Sequence, residues 1–489
     1  MLPRSLGPPL RIARRAALVL VAALAACRVG PNFTPPQPPA AARYTSDTLP
    51  IEHPAARGGT QHIALGEQIE GDWWALFGSQ AIDGIVKEAL THNRTLEASA
   101  ATLAQAQELA LAQAGLRYPQ VALTAGVGRQ KYGAEFLGGN FSVPPFTYFA
   151  VGPTVSYTLD YTGGIARSIE QQFAQAEVAR QQLNAAYLTV SGQAVLQTLT
   201  IASTRAQIAT VESILAQDRD NLRLVNTAFE NGSVARTDVV GAESQIASDS
   251  ALLPPLRQDL ARAHHALSLI LGRLPEKALP ADLDFAQIPL PLEVPVSLPS
   301  ELAHRRPDIL AAEARLHAAT SAVGIAESNL YPKIQLTATI GQQAPTPGRL
   351  LDGSATAWSA LSGLTMPLFD GGTLRAQKRA AVDAMRASAA SYQQTVLEAF
   401  GQVADLLEAL SHDAEQLDAQ DQAQKAAEAN LTLTRAAYRE GNVGILRVLD
   451  AERSYQQARL GYVRAIAQRY LDTVQLFLAL GGAPPHARA

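Results

Sequence analysis

The sequence predicts an internally duplicated α+β membrane protein, in which each half has the order helix, β-hairpin, long helix, tight turn, helix. Three observations lead to this prediction. The same landmarks recur in both halves of the chain. Each half contains short segments that alternate apolar and polar residues. Each half also contains a long stretch, suited to a helix, in which apolar residues fall three or four positions apart.

The N-terminus has the features of a secretory signal peptide. Four arginines precede an apolar run, residues 16–26, which is shorter than the roughly 20 residues that a spanning helix needs. The run ends in Leu-Ala-Ala-Cys at Cys27, the only cysteine of the sequence. This ending resembles the bacterial lipobox, in which cleavage precedes the cysteine and lipid is attached to it. Arg28 follows, where retention in the inner membrane typically uses aspartate, so we predict a lipid-anchored outer-membrane protein. The alternative is a buried cysteine in an uncleaved anchor.

The duplication has a period of about 210 residues, far beyond any solenoid repeat. Leu123-Thr124-Ala125 recurs as Leu336-Thr337-Ala338, in both cases soon after a Tyr-Pro pair, and Gly163-Gly164 recurs as Gly371-Gly372. The segment 232–243 matches 441–452 without a gap, although Pro254-Pro255 has no counterpart in the second half.

Each half contains strand-like segments around a loop rich in glycine and proline. Residues 149–159 and 334–341 alternate apolar side chains with small or polar ones, which is typical of a strand with lipid or core on one face. After each glycine pair we predict a very long helix. In the first half, residues 165–229 contain no proline and only one glycine, and their apolar spacing indicates coiled-coil packing over about 100 Å. Gly232 and Gly441 are expected to end these helices and reverse the chain.

These features predict the following segments: a signal peptide at 1–26; a lipidated, Pro-rich extended segment at 27–64; a first repeat at 65–274, with strands at about 119–161 and coiled-coil helices at about 164–271; a linker at 275–299; a second repeat at 300–481, with strands at about 332–369 and helices at about 372–480; and a tail at 482–489.

The four predicted strands require partners from other copies. A barrel in lipid must close, because no water is present to satisfy an open edge, and known barrels have at least about eight strands. A dimer would supply eight strands and a trimer twelve. The strand count alone leaves this choice open, although the long helices favour the wider ring.

The chain resembles the TolC-like outer-membrane efflux channels, specifically their lipoprotein (NodT/OprM-type) subgroup. The resemblance covers nearly the whole sequence and depends on several short motifs found in the expected order: Cys27 to Phe33, Trp73-Trp74 with Phe77, Arg305 to Ile309 followed by Ala312-Glu313, Tyr331-Pro332, and Pro367 to Gly372. It implies a trimer with a twelve-stranded β-barrel in the outer membrane and an α-helical tunnel in the periplasm. It also implies docking on a periplasmic adaptor, which connects the channel indirectly to an inner-membrane RND-type pump.

The resemblance implies a passive channel for small organic, drug-like or toxic compounds. Three other interpretations stay open: a lipid-anchored periplasmic adaptor or scaffold, an exit duct for protein or metal export, and a membrane-anchored hydrolase. Against the hydrolase and metal interpretations, we find no zinc, phosphate-loop or nucleophile motif, and only three methionines. We therefore predict no catalytic, cofactor or metal site. The net charge of −4 gives no basic surface for nucleic acid.

Two sets of residues are candidates for function near the chain reversals. The resemblance implies that adaptors dock at the tip turns, where a valine that we expect to be exposed stands among small residues in both halves: Gly232, Val234 and Ala235, and Gly441, Val443 and Gly444. The alternative is that the valines only close the contact within the hairpins. Family members narrow their periplasmic end just before these turns, so the gate candidates are Asn226, Leu431 and Arg435. For Arg435 two interpretations stay open: a basic ring that favours anionic cargo, or an ion pair with an acid on a neighbouring helix.

Overall fold

The computed structural model of the chain describes residues 28–37, 41, 43–45, 52–53, 59–133, 144–276 and 283–481. The predicted signal peptide, Cys27 and the tail at 482–489 lie outside these residues. The α-helices of the described part have the following bounds: α1 Gln80–His92, α2 Arg94–Ala114, α3 Gly164–Glu230, α4 Arg236–Ser250, α5 Leu253–Ile270, α6 Pro299–Leu302, α7 Pro307–Ser328, α8 Thr373–Arg439 and α9 Ile445–Ala479.

The strands have these bounds: β1 Glu52–His53, β2 Gln61–Leu65, β3 Gln120–Gln130, β4 Phe146–Leu159, β5 Glu293–Val296, β6 Lys333–Ala344 and β7 Thr356–Thr365. Each half therefore has the predicted order of helix, hairpin, long helix, turn and helix. The two long helices, α3 and α8, have 67 residues each. Their length agrees with the predicted duplication.

The returning helices differ between the halves. In the second half α9 is continuous over 35 residues, whereas in the first half the return is split into α4 and α5 at residues 251–252. Pro254 and Pro255 stand in the first turn of α5, where a missing backbone N–H has no partner to lose. The proline pair that lacks a counterpart in the second half thus marks the break.

Strands β3, β4, β6 and β7 form one antiparallel sheet in that order. Alternate residues share a face, as predicted. Thr154 lies opposite Thr339, which lies opposite Ser359, and the hydroxyls of Thr339 and Ser359 are 2.7 Å apart. The other face carries the apolar residues, for example Val155 opposite Ala338.

A second, smaller sheet was not predicted from the sequence. Strand β2 pairs antiparallel with β1 and parallel with β5, so His62 lies opposite Glu293 and Leu65 opposite Val296. The side chain of Gln61 is buried and donates to the carbonyl of Pro291 and to Thr473 Oγ1, 2.9 and 3.2 Å away. Parts of the predicted extended segment and of the predicted linker are therefore ordered strands.

The described residues form two compact units: those within 1–36, 104–178 and 312–392 belong to the first, and those within 37–103, 179–311 and 393–481 belong to the second. The first unit contains the four-stranded sheet, and the second contains the small sheet and both chain reversals. No helix among the described residues combines the length and the apolarity needed to cross a membrane.

The motif residues around Trp73 and Arg306 pack inside the second unit. Trp73 and Phe77 are buried and lie against Phe477, with ring centroids 5.9 and 6.3 Å apart. Arg306 is also buried. It donates to Asp308, to Gln402 and to the carbonyl of Ala479. Since every one of these contacts is internal, the motifs serve the fold here and do not form an exposed site.

Candidate functional site

The two chain reversals have the same backbone geometry. In the first, α3 ends at Glu230 and Gly232 adopts a φ of 70°, which a side chain at this position would strain. The Gly232 N–H donates to Phe229 O and the Ser233 N–H to Ala228 O, both at 2.9 Å. These two bonds satisfy carbonyls that the end of a helix would otherwise leave free.

The second reversal repeats this arrangement after α8. Gly441 has a φ of 77°, its N–H donates to Tyr438 O at 3.0 Å, and the Asn442 N–H donates to Ala437 O at 2.9 Å. Ala235 and Gly444 then take extended backbone before α4 and α9 begin. The sequence repeat is therefore also a structural repeat.

The two valines of the turns are half-buried and not fully exposed. Val234 packs against an apolar cluster shared by the two hairpins, whose buried members are Val225, Val239, Ala242, Leu431, Ile445, Val448 and Ala451. The expectation of an exposed valine is thus wrong for Val234. Packing against the cluster removes apolar surface of Val234 from water, which stabilises the hairpin. Among the candidate docking residues, Gly232 and Ala235 are exposed in one turn and Gly441 and Gly444 in the other. Docking at the turns stays a prediction.

The gate candidates lie close to this cluster. Leu431 belongs to it and is buried, and Asn226 is half-buried. Arg435 donates to Glu452 at 2.8 Å, which is the ion pair left open as the alternative from the sequence. The Arg435 side chain is 41% exposed, whereas that of Glu452 is 2% exposed. A role of these three residues in a gate stays a prediction.

Glu452 connects the two hairpins. It accepts from Arg435 of α8 and also, at 2.7 Å, from the side-chain amide of Asn221 on α3. A second bond between the hairpins runs from Gln456 of α9 to Asp218 of α3, at 3.1 Å. Because Asp218, Asn221, Glu452 and Gln456 are all buried, each bond replaces water that these groups would otherwise need.

Sequence reasoning missed these four residues, although one signal was present. Asp218 stands between Leu215 and Leu222 at helical spacing, where the apolar stripe of α3 would place an apolar side chain. A cavity of about 110 Å³ lies beside it, and Asn221, Gln245 and Glu452 contribute to its wall. Burial, together with the nearby carboxylates of Asp249 and Glu452, raises the pKa of Asp218 to about 6.

We expect Asp218→Asn to stabilise the hairpins above pH 6 and to have little effect at pH 4. The folded chain holds the Asp218 proton up to a pKa of about 6, against an ordinary value of 3.8, so folding takes up a proton between these values. Stability contributed by the protonated group is therefore lost as pH rises through 6. Asparagine keeps the oxygen that accepts from Gln456 and carries no charge. At pH 8 the variant should therefore have a free energy of unfolding about 1 to 3 kcal/mol above that of the parent chain.

Hydrogen exchange of residues 210–250 at pH 4 and pH 8 measures this effect. Asp220→Asn is the matched control, since Asp220 is an exposed neighbour on the same helix paired with Arg223. If Asp218→Asn and the parent chain are equally protected from hydrogen exchange at pH 8, the charge of Asp218 does not destabilise the hairpins.

Cys27 lies outside the described residues, but the residues that follow it are held in the first unit. Arg167 is buried, 2% exposed, and donates to Asn32 Oδ1 at 2.6 Å and to Glu170 at 2.9 Å. His317 lies 2.9 Å from the other oxygen of Glu170 and stacks on Phe33, with ring centroids 4.3 Å apart. The first described residues of the chain are therefore bound to α3 and α7.

No group of three or more His, Cys, Asp or Glu side chains within the described ranges is arranged to hold a metal ion. Buried Glu452 and buried Arg167 are instead paired with other side chains of the chain.

Comparison with known proteins gives a consistent result. The family model for outer membrane efflux proteins matches residues 85–273 and 298–482. The chain is 30% identical to the pyoverdine export outer membrane protein OpmQ of Pseudomonas putida, over 84% of this chain and 87% of that protein. It is 27% identical to the toluene efflux pump outer membrane protein TtgF of Pseudomonas putida, over 95% and 96%. The solved outer-membrane channel OprN has a TM-score of 0.82 and 28% identity, covering 94% of this chain and 99% of OprN.

Proposed function

Because the chain belongs to the outer membrane efflux protein family, we propose that it is the outer-membrane channel of a tripartite efflux system and works as a homotrimer. Its partners are a periplasmic adaptor and, through it, an inner-membrane RND-type pump. The channel itself is passive, and the energy for transport comes from the pump. The observation that carries the proposal is the match of both repeats to one channel family.

We propose small organic molecules as the cargo. Two relatives have names that state a cargo, pyoverdine and toluene, and both are organic. The face of the large sheet that carries Thr154, Thr339 and Ser359 supports this proposal, because hydroxyl groups contact polar and apolar molecules without selecting for charge.

Reconstitution in a planar bilayer tests the function. The purified protein is expected to run as a trimer in native mass spectrometry and to produce discrete conductance steps. Deletion of the gene should raise susceptibility to organic toxicants, and the restored gene should reverse this. If the purified protein is a monomer and produces no conductance, the channel proposal is wrong and the scaffold interpretation stays.

We also propose that Cys27 carries lipid. Cys27→Ser removes the thiol to which lipid attaches, so incorporation of labelled palmitate should fall to background. Part of the protein should still reach the outer membrane, because the apolar faces of the strands have membrane affinity of their own. The neighbouring variant Arg28→Ser, which keeps the thiol, controls for altered secretion. Labelling that persists in Cys27→Ser would refute the lipid assignment.

A further inference from the structure

A recess lies at the root of the large sheet, within the first unit of the chain. Its volume is about 410 Å³, and its walls come from the first residues of β3 and β6, the last residues of β4, the beginning of α3 and the end of α7. Cavities that bind small organic molecules have volumes of about 300 to 1,000 Å³. The recess is therefore large enough to hold such a molecule.

The recess lies on the polar face of the sheet. Ser156 and Thr158 of β4 and Gln335 of β6 line it, and Thr158 lies directly opposite Gln335. Because side chains of a strand alternate between its two faces, these residues share a face with Thr154 and Thr339. The other face carries the apolar residues and is the one suited to lipid. In the proposed channel the recess therefore belongs to the face that is turned away from lipid.

The N-terminal segment indicates independently which side of α3 faces the lumen. Arg167 binds Asn32, a residue close in sequence to the proposed lipid anchor, so this side of α3 faces the outside of the channel. Residues two positions apart in a helix point in nearly opposite directions. Ile165, which lines the recess, is thus on the side of α3 away from the N-terminal segment. If Cys27 carries lipid, the recess faces the lumen, where cargo passes.

Lys333 and Asp160 are the charged residues that line the recess. Both oxygens of Asp160 accept backbone N–H groups at the start of α3, from Ile165 at 2.9 Å and from Ala166 at 2.8 Å. The Lys333 side chain is exposed and forms no hydrogen bond or ion pair with the described part of the chain. The carboxylate is thus already satisfied, whereas the ammonium keeps its three donors for a ligand.

We infer that the recess is a transient binding site for cargo and selects amphipathic organic anions, whose charged group bonds to Lys333 while their apolar part packs on Ile165 and Ile325. The inference rests on the proposed channel function and defines its cargo class further. Apolar walls beside a few placed polar groups are typical of pockets that orient small molecules. A hydrogen bond between an ammonium and a carboxylate is about twice as strong as one between neutral groups, so the anion is preferred over a neutral molecule of the same shape.

The duplication provides a substitution that removes only the charge. In both repeats a Tyr-Pro pair directly precedes the first strand residue, which is Gln120 in the first repeat and Lys333 in the second. Lys333→Gln therefore makes the two repeats alike at this position. Because glutamine already begins β3, the variant should keep β6 and the trimer intact.

Ligand-detected NMR on the purified full chain in detergent tests this site with three probes that share one apolar body: 4-phenylbutyrate, the neutral 4-phenylbutanamide and the cationic 4-phenylbutylammonium. The parent chain should bind the anion at least about tenfold more tightly than the amide, and Lys333→Gln should bind the two equally. Lys333→Arg keeps the charge and should keep the preference. Lys378→Gln is the matched control, because Lys378 pairs with Glu327, 3.2 Å away, and does not line the recess. It should also keep the preference.

Comparison of the parent chain with Lys333→Gln removes the contribution of probes that partition into detergent. Equal affinity of the parent chain for anion and amide, an unchanged preference in Lys333→Gln, or tightest binding of the cation would overturn the inference. Planar-bilayer conductance separates this result from the channel proposal. A trimer that conducts and shows no preference for the anion overturns the cargo site alone, whereas a protein without conductance overturns the channel proposal and the cargo site with it.

Discussion

Placing glutamate at Ala235 or Gly444 is expected to abolish efflux while the protein still assembles and conducts. Both positions are exposed at the turns, and both have extended backbone that any residue adopts. A Cβ added at Gly444 meets no atom within 4 Å. The new carboxylates also stand just before α4 and α9, where negative charge favours the helix N-terminus. Loss of efflux in these variants would therefore not come from a damaged fold.

Efflux should be lost because the variants bind the periplasmic adaptor more weakly. If a helical partner packs on the turns, a buried and unpaired carboxylate costs about 3 kcal/mol or more, which corresponds to a loss of at least about a hundredfold in affinity. Susceptibility of cells that produce each variant at matched levels measures the effect. Single-channel conductance of the purified variants should equal that of the parent chain.

Ala247→Glu is the matched control, because it adds the same charge at an exposed position of α4 farther from the turn. It should retain efflux. Normal efflux by both turn variants would make the turns plain chain reversals and would leave the docking surface to be found elsewhere.

The order and the bounds of the long helices, the strands and the turns could be predicted because each depends on a local pattern in the sequence. Helix α3 covers residues 164–230, against a prediction of 165–229, since only one glycine and no proline interrupt its apolar spacing. Strand β4 extends three residues beyond the predicted start at 149 and ends where expected. The positions of the chain reversals were predicted from Gly232 and Gly441, since glycine most readily adopts the positive φ that each turn requires.

The small sheet could not be predicted in the same way. Strand β5 contains Pro295, which argues against a central strand, and its partner β2 lies more than 200 residues earlier in the chain. No local pattern specifies such a pairing. It depends on contacts such as that of buried Gln61 with Arg469, 2.8 Å apart, which single-sequence reasoning cannot bring together.

The polar network of the hairpins was missed for a different reason. Charged residues in long helices are usually solvated, so Glu452 gave no sign in the sequence of being buried, and the only signal for Asp218 was its position in the apolar stripe of α3. Burial becomes favourable only when the partners from the other hairpin are in place. The alternative proposed for Arg435 named the kind of partner correctly, but the identity of Glu452 required the structure.

Arg435→Glu is expected to weaken the junction between the two hairpins and to increase leakage through the channel. The substitution replaces the cation that neutralises buried Glu452 with a second carboxylate. Removal of one partner from a buried ion pair costs about 3 to 5 kcal/mol, and like charges add repulsion. If these residues belong to the gate, separation of the helix ends should raise the open probability by about a hundredfold.

Planar-bilayer recordings test this expectation, together with two matched variants. Arg453→Glu should leave conductance unchanged, because Arg453 is half-exposed and pairs with Asp450 on its own helix. Addition of Glu452→Gln to Arg435→Glu should return conductance toward that of the parent, since glutamine removes the repulsion and keeps an oxygen that accepts from Asn221. Unchanged conductance of Arg435→Glu in a correctly assembled trimer would place the ion pair outside the gate and restrict its role to holding the hairpins together.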